Sequence, residues 1–104
     1  PTLSIQQEKS IPSSITIHPN FPNPFNPSTT LHYDLSEPTP ITLAIHDITG
    51  HRVKTLFEGE QTSGYKSIQW NAANDDGVNL PAGIYFYTIR SGNISISQKL
   101  IYMK

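Results

Sequence analysis

Four histidines are the side chains of this 104-residue chain that first suggest metal chemistry: His18, His32, His46 and His51. A tetrahedral zinc site needs several nitrogen or sulfur ligands brought to one point. No His-x-His or His-x-x-His pair is present, and the chain has no cysteine. His32 and His46 also fall at outward positions of alternating segments. We therefore interpret the four histidines as solvated strand or turn residues, and we expect neither a metal site nor a cofactor.

One short acidic segment, Asn74 to Gly77, offers oxygen ligands ahead of a glycine. Calcium prefers such ligands, but an EF-hand loop also needs ligands at alternating positions and a bidentate glutamate at its twelfth position, and neither is present. Asn, Asp and Gly at these positions are typical of a turn. A turn is the preferred interpretation, and a structural calcium ion in a long loop is the alternative.

Nothing in the sequence points to catalysis. A Gly-x-Ser-x-Gly nucleophile motif is absent, and Glu37, Glu58 and Glu60 lie in apparent turns with no sign of a shared cleft. We therefore expect a protein that is not an enzyme. Exposed aromatic rings could instead form a sugar-binding platform, although core packing is the preferred role for large aromatics on alternating strands. The candidates for such a platform are Tyr65, Trp70, Tyr85, Phe86 and Tyr87.

Length and charge narrow the class of protein further. A chain of 104 residues suits one domain, and the net charge of −1, without a long basic run, argues against nucleic acid or an anionic membrane as a direct partner. No apolar run reaches the roughly 20 residues of a membrane-spanning helix. The chain begins at Pro1 with neither an initiator Met nor a leader, so we expect it to be the C-terminal piece of a longer protein.

Apolar residues alternate with polar ones along several segments, which is the pattern of half-buried strands. Leu31, Tyr33 and Leu35 show it, and Ile41, Leu43 and Ile45 repeat it. Strand signals recur about every 8 to 15 residues without a helical period. We predict an all-β antiparallel sandwich of about seven strands over residues 15–104, with residues 1–14 as a linker or an edge strand. The predicted core contains Trp70, Tyr33, Tyr85 or Tyr87, and the alternating Leu and Ile residues.

A proline-rich arm precedes the first clearly alternating strand. It reads Asn23-Pro24-Phe25-Asn26-Pro27, with a further proline at position 22. Each proline fixes φ and removes a backbone donor, so the sequence predicts an extended, turn-rich segment.

Several spaced motifs, from about Phe21 to Lys104, together resemble the C-terminal sorting domain of proteins exported by the type IX secretion system. That domain is a relative of the immunoglobulin-like domain of flagellar hook-capping proteins. The motifs are the proline arm with Thr29, the turn Asp47 to Gly50, Gly64, Trp70 with the loop Asp75 to Gly77, the strand Gly83 to Tyr87, and the terminal segment Lys99 to Lys104. The basic residue that usually follows the turn glycine directly is displaced here by one position, to Arg52.

The resemblance implies an immunoglobulin-like or fibronectin-type-III-like fold and a noncatalytic role. The domain would direct an upstream cargo domain through the periplasm to the outer-membrane secretion machinery, and a sortase-like peptidase would then join the cargo to the surface of a Gram-negative bacterium. The residues implied in the sorting signal are Gly50, Val53, Lys99, Leu100, Ile101, Tyr102, Met103 and Lys104. Those implied in the structural motif are Asn23, Pro24, Phe25, Asn26, Pro27, Trp70, Gly83 and Tyr85.

Two other functions are compatible with the sequence. An accessory sandwich could bind polysaccharide or stabilise an upstream catalytic domain, and exposed coplanar aromatics would favour it. A structural module of the hook cap is disfavoured because the chain ends directly after its last strand. For any of these, an exposed final strand predicts weak dimers or strand exchange through Ile94 to Met103.

Overall fold

A computed structural model describes residues 15–103 as seven β-strands joined by turns and loops. The strands are β1 (Ile15–Phe21), β2 (Thr29–Leu35), β3 (Thr39–Asp47), β4 (Arg52–Gln61), β5 (Gly64–Trp70), β6 (Gly83–Ser91) and β7 (Ile94–Tyr102). The prediction of about seven antiparallel strands is confirmed. No helix in this part of the chain is long and apolar enough to cross a bilayer. The predicted linker or edge strand, residues 1–14, lies outside the described residues, as does Lys104.

The strands form two antiparallel sheets. The three-stranded sheet has the order β1-β2-β5, and the four-stranded sheet has the order β4-β3-β6-β7. The last strand, β7, therefore lies at an edge and pairs along its length only with β6. Both sheets turn one face inward, so that the alternating apolar residues meet in a shared core.

The core contains the residues that the alternation predicts. Leu31, Tyr33 and Leu35 are at most 2% exposed, whereas the residues between them are half-buried. Trp70 is buried, and of the two tyrosines considered for the core, both Tyr85 and Tyr87 are buried. Burial raises the pKa of the Tyr87 phenol to about 12, because a phenolate would have to leave water.

Candidate functional site: the proline arm and the C-terminal strand

The proline arm connects β1 and β2 of the three-stranded sheet and, on its way, pairs with the end of β7 in the four-stranded sheet. The Phe25 backbone N–H donates to Ile101 O at 2.9 Å, and Met103 N–H donates to Phe25 O at 2.9 Å. These two bonds make Phe25 a parallel bridge partner of Tyr102. The sequence predicted an extended arm, which is confirmed, but it gave no sign that the arm pairs with residues more than seventy positions away.

The Phe25 side chain anchors the arm in the core. It is 2% exposed, and its ring stacks on Tyr102 with a centroid separation of 5.1 Å and lies 5.8 Å from the Trp70 ring. Trp70 in turn meets Tyr85 edge-on at 5.6 Å and donates its indole N–H to Ala73 O at 2.9 Å. Four aromatics from four separate sequence motifs thus form one cluster, and offset or edge-on rings of this kind attract one another beyond their hydrophobic burial.

Polar side chains hold the arm from both ends. Asn23 Oδ1 accepts a hydrogen bond from Ile101 N–H at 3.0 Å. Buried Asn20 donates through Nδ2 to Thr29 Oγ1 at 3.0 Å and to Pro22 O at 3.2 Å, and Thr29 donates through Oγ1 to Pro22 O at 2.7 Å. Sequence reasoning missed Asn20, and it named Thr29 only as the residue that completes the proline-arm motif. Thr29 lies two residues before Leu31 and so on the inward side of β2, whereas Asn20 faces inward because the register of β1 shifts between His18 and Phe21.

The arm covers only the last part of the outer edge of β7. In an antiparallel ladder, the two backbone groups of one residue point to the same side, and successive residues point to opposite sides. Ile101 directs both groups to the arm. By the same alternation, the backbone N–H and C=O groups of Ser95, Ser97 and Lys99 point away from β6. The register between β6 and β7 contains no bulge that would reverse their direction. No described strand pairs with that edge, so β7 presents an open row of donors and acceptors.

The turn after β3 lies at the same end of the four-stranded sheet. Asp47 is opposite Tyr85, and Tyr85 is opposite Leu100. Asp47 Oδ1 accepts hydrogen bonds from the backbone N–H groups of Thr49 and His51, both at 3.0 Å, and from the Thr49 hydroxyl. The Thr49 hydroxyl bond is the main reason that the pKa of the Asp47 carboxyl is lowered.

The other predicted site residues also lie near this end. Gly50 has a φ of +91° and donates its N–H to Asp47 O at 2.9 Å, closing the turn. Val53 is half-buried against the core. Gly83 begins β6 opposite Tyr102. Lys99 and Met103 are exposed, Ile101 is half-buried, and Leu100 and Tyr102 are buried. The fold thus brings these residues of the resemblance together at one end of the four-stranded sheet.

The groups first considered for chemistry are spread over the surface. The acidic loop is a turn, in which Asn74 Oδ1 accepts from the N–H groups of Asp76 and Val78 at 3.0 and 2.9 Å. Asp75 Oδ1 accepts from Thr55 N–H at 3.1 Å. Within residues 15–103, no group of three or more His, Asp or Glu side chains is arranged to hold a metal ion. The three candidate acids are exposed: Glu37, Glu58 and Glu60.

The five aromatics considered for a sugar platform divide into two groups. Trp70, Tyr85 and Tyr87 are buried, so they cannot contribute to an exposed surface. Phe86 is half-buried, and only Tyr65 is largely exposed, at 61%. The preference for core packing is therefore correct for the three buried rings.

Comparison with known proteins places this geometry in a family. The FlgD Ig-like domain matches residues 26–94, about two thirds of the chain. A comparison with curated proteins gives no match.

Three solved structures are similar in fold. Dimeric latent PorU from Porphyromonas gingivalis has a TM-score of 0.66 at 22% identity, over 86% of this chain and 9% of that one. PorZ, a surface component of the type IX secretion system of the same bacterium, has a TM-score of 0.58 at 19% identity, over 85% of this chain and 11% of that one. FlgD from P. aeruginosa has a TM-score of 0.57 at 18% identity, over 71% of this chain and 60% of that one. The chain spans about a tenth of the length of the two P. gingivalis proteins, and it belongs to the FlgD Ig-like domain family.

Proposed function

We propose that this chain is a noncatalytic C-terminal sorting domain that directs an upstream protein through the type IX secretion system to the cell surface. The observation that carries the proposal is the pairing of the proline arm with the last residues of the chain. Phe25 bonds to Ile101 and Met103, and Asn23 bonds to Ile101. The two sequence features that most resemble sorting domains thereby form one structural unit.

The fold comparisons support the proposal of a type IX sorting domain. One similar structure is described as a surface component of the type IX secretion system, and the region of similarity covers 85% of this chain. The likeness extends to a small part of a much larger protein. A domain of this fold attached to a longer cargo is the arrangement that the proposal requires, with a Gram-negative cell surface as its destination.

Recognition would use the open edge of β7. Ser95, Ser97 and Lys99 present backbone groups outward, and an edge of this kind can accept a strand from a partner. The partner in the proposal is the outer-membrane secretion machinery, followed by a sortase-like peptidase that acts on the junction with the cargo. The domain itself supplies shape and hydrogen bonds and performs no reaction.

A reporter fusion tests the proposal. The full 104-residue chain is fused to the C-terminus of a periplasmic reporter in a bacterium with a type IX system, beside the same fusion lacking residues 99–104. We expect the complete fusion to reach the surface or medium and the shortened one to stay in the periplasm. Retention of both fusions, with both remaining folded, would contradict the proposal.

The deletion alone is ambiguous because it removes Leu100 and Tyr102, which are buried in the core. A sharper pair of variants changes only Lys99, whose side chain is exposed. Lys99→Pro removes an outward N–H and blocks strand addition, whereas Lys99→Ala removes the charge and keeps the N–H. We expect Lys99→Pro to lose export and Lys99→Ala to retain it, with both variants unfolding at temperatures close to that of the wild type. Equal export of the two folded variants would refute recognition through this edge.

A further inference from the structure

The outer face of the three-stranded sheet carries polar and aromatic side chains in paired rows. Residues that are opposite each other in an antiparallel sheet share a face. Inward residues such as Leu31 and Tyr33 are buried, so their neighbours along β2 face outward. The outward set is Thr16, His18 and Phe21 on β1, Thr30, His32 and Asp34 on β2, and Tyr65, Ser67 and Gln69 on β5.

Four of these side chains are linked by two diagonal contacts across the strands. His18 Nε2 lies 2.7 Å from Asp34 Oδ2, and the Tyr65 hydroxyl lies 2.5 Å from His32 Nδ1. His18 and Asp34 are each about two fifths exposed. Each residue of the group holds another in place, so the face is ordered before any ligand arrives, and pre-ordering lowers the entropy cost of binding.

The rings of His32 and Tyr65 form a flat surface. Their planes are inclined by 21° and their centroids are 5.7 Å apart. The Tyr65 hydroxyl oxygen and His32 Nδ1 each lie in the plane of their own ring, and they are 2.5 Å apart. Two rings stacked face to face would hold such atoms about 3.5 Å apart or more. The two rings therefore lie side by side and nearly coplanar, and Tyr65 is 61% exposed.

The charges on this face select the class of ligand. Among the described outward residues of β1, β2 and β5, Asp34 is the only carboxylate and none is Lys or Arg. A phosphate or uronate chain would find no permanently charged partner here. The hydroxyl, amide, imidazole and carboxylate groups suit a neutral ligand with many hydroxyls, and the flat pair of rings suits the apolar face of a sugar.

A second exposed ring indicates the length of the ligand. Phe21 is 74% exposed and is opposite Thr30, at the other end of the same face. Two strand spacings and four residues separate Phe21 from Tyr65, which corresponds to about 17 Å. An oligosaccharide spans that distance and a monosaccharide does not.

We propose that the outer face of the three-stranded sheet binds a neutral polysaccharide chain, with the Tyr65 and His32 rings as its stacking platform and Asp34 and His18 as hydroxyl partners. The glycan would contact the side chains of this face, centred on Tyr65 of β5, whereas the proposed secretion contact uses backbone groups along the edge of β7, and β5 is the strand of the three-stranded sheet farthest from β1, the strand that contacts β7. Glycan binding and recognition of β7 can therefore be tested separately.

The test is an NMR titration of the full chain with cellohexaose, mannohexaose, maltohexaose and, as a charged comparison, hexagalacturonate. We expect saturable binding of at least one neutral hexasaccharide, with shift changes confined to β1, β2 and β5. Tyr65→Ala should weaken binding roughly tenfold or more, a loss of about 1.4 kcal/mol. Val78→Ala, which shortens an exposed apolar side chain in the loop before β6, should leave binding unchanged.

Several results would overturn the inference. They are the absence of binding at millimolar concentrations of every neutral hexasaccharide, tighter binding of hexagalacturonate, and shift changes on the four-stranded sheet. An unchanged affinity for a Tyr65→Ala variant that keeps the wild-type amide spectrum elsewhere would also overturn it. Phe21→Ala provides an independent check, because it should weaken hexasaccharide binding and leave the weaker disaccharide binding unaltered.

Discussion

Replacing Phe25 by alanine should detach the proline arm from the core and lower the free energy of unfolding of the domain substantially. The ring is 2% exposed and contacts both Tyr102 and Trp70. A Phe→Ala change in a core costs about 3–5 kcal/mol, out of a total free energy of unfolding of about 5–15 kcal/mol for a domain. At about 4–8 °C for each kcal/mol in a domain of this size, the unfolding temperature should fall by at least about 12 °C.

The assay is equilibrium unfolding in urea, followed by circular dichroism and by the fluorescence of Trp70, the single tryptophan. Phe21→Ala is a matched control because it makes the same chemical change four residues earlier, where the ring is 74% exposed, and should change stability by no more than about 0.5 kcal/mol. If Phe25→Ala and Phe21→Ala lowered the urea midpoint equally, the arm would not be a part of the core.

Three further predictions concern the turn, the core and the edge. The pKa of Asp47 is lowered by its hydrogen bonds, chiefly that from Thr49, so the stability that the Asp47 carboxylate contributes is present above the ordinary pKa of 3.8 and is lost as the pH falls below it. Asp47→Asn should therefore unfold more easily at neutral pH and lose less stability than the wild type between neutral pH and about pH 3. An unchanged dependence of stability on pH would contradict this. The pKa of Tyr87 is raised to about 12 by burial, so the stability that its protonated phenol contributes is present below the ordinary pKa of 10 and is lost as the pH rises above it. Tyr87→Phe should therefore show a smaller drop in unfolding temperature at alkaline pH than the wild type. An equal drop in both proteins would refute the role of the Tyr87 phenol. The open edge of β7 predicts a weak dimer in sedimentation equilibrium that Lys99→Pro abolishes, and a wild type that remains monomeric at millimolar concentration would exclude it.

The alternation of side chains carried enough information to predict the strands and the core. Leu31, Tyr33 and Leu35 face inward because a period of two places every second residue on one side of a sheet, and the structure buries all three. Trp70 was correctly placed in the core for the same reason. The local turn at Gly50 was also predictable, since an Asp-to-Gly segment between two alternating runs favours a turn with positive φ.

Contacts between distant segments could not be predicted in the same way. The bonds of Phe25 to Ile101 and Met103 depend on how the two sheets are packed, and a single sequence does not state which strands are neighbours. The contact of His32 with Tyr65 depends on the register between β2 and β5. Searching for histidine pairs along the chain therefore missed a group that forms across strands, where His18 is directly opposite His32.

The most direct measurement of the sorting claim is the surface fraction of a reporter fused to the full 104-residue chain, compared between a strain with an intact type IX system and an otherwise identical strain that lacks it. Our account predicts that the reporter reaches the surface or medium only in the intact strain and accumulates in the periplasm of the other. Equal distribution of the folded fusion in the two strains would contradict the account.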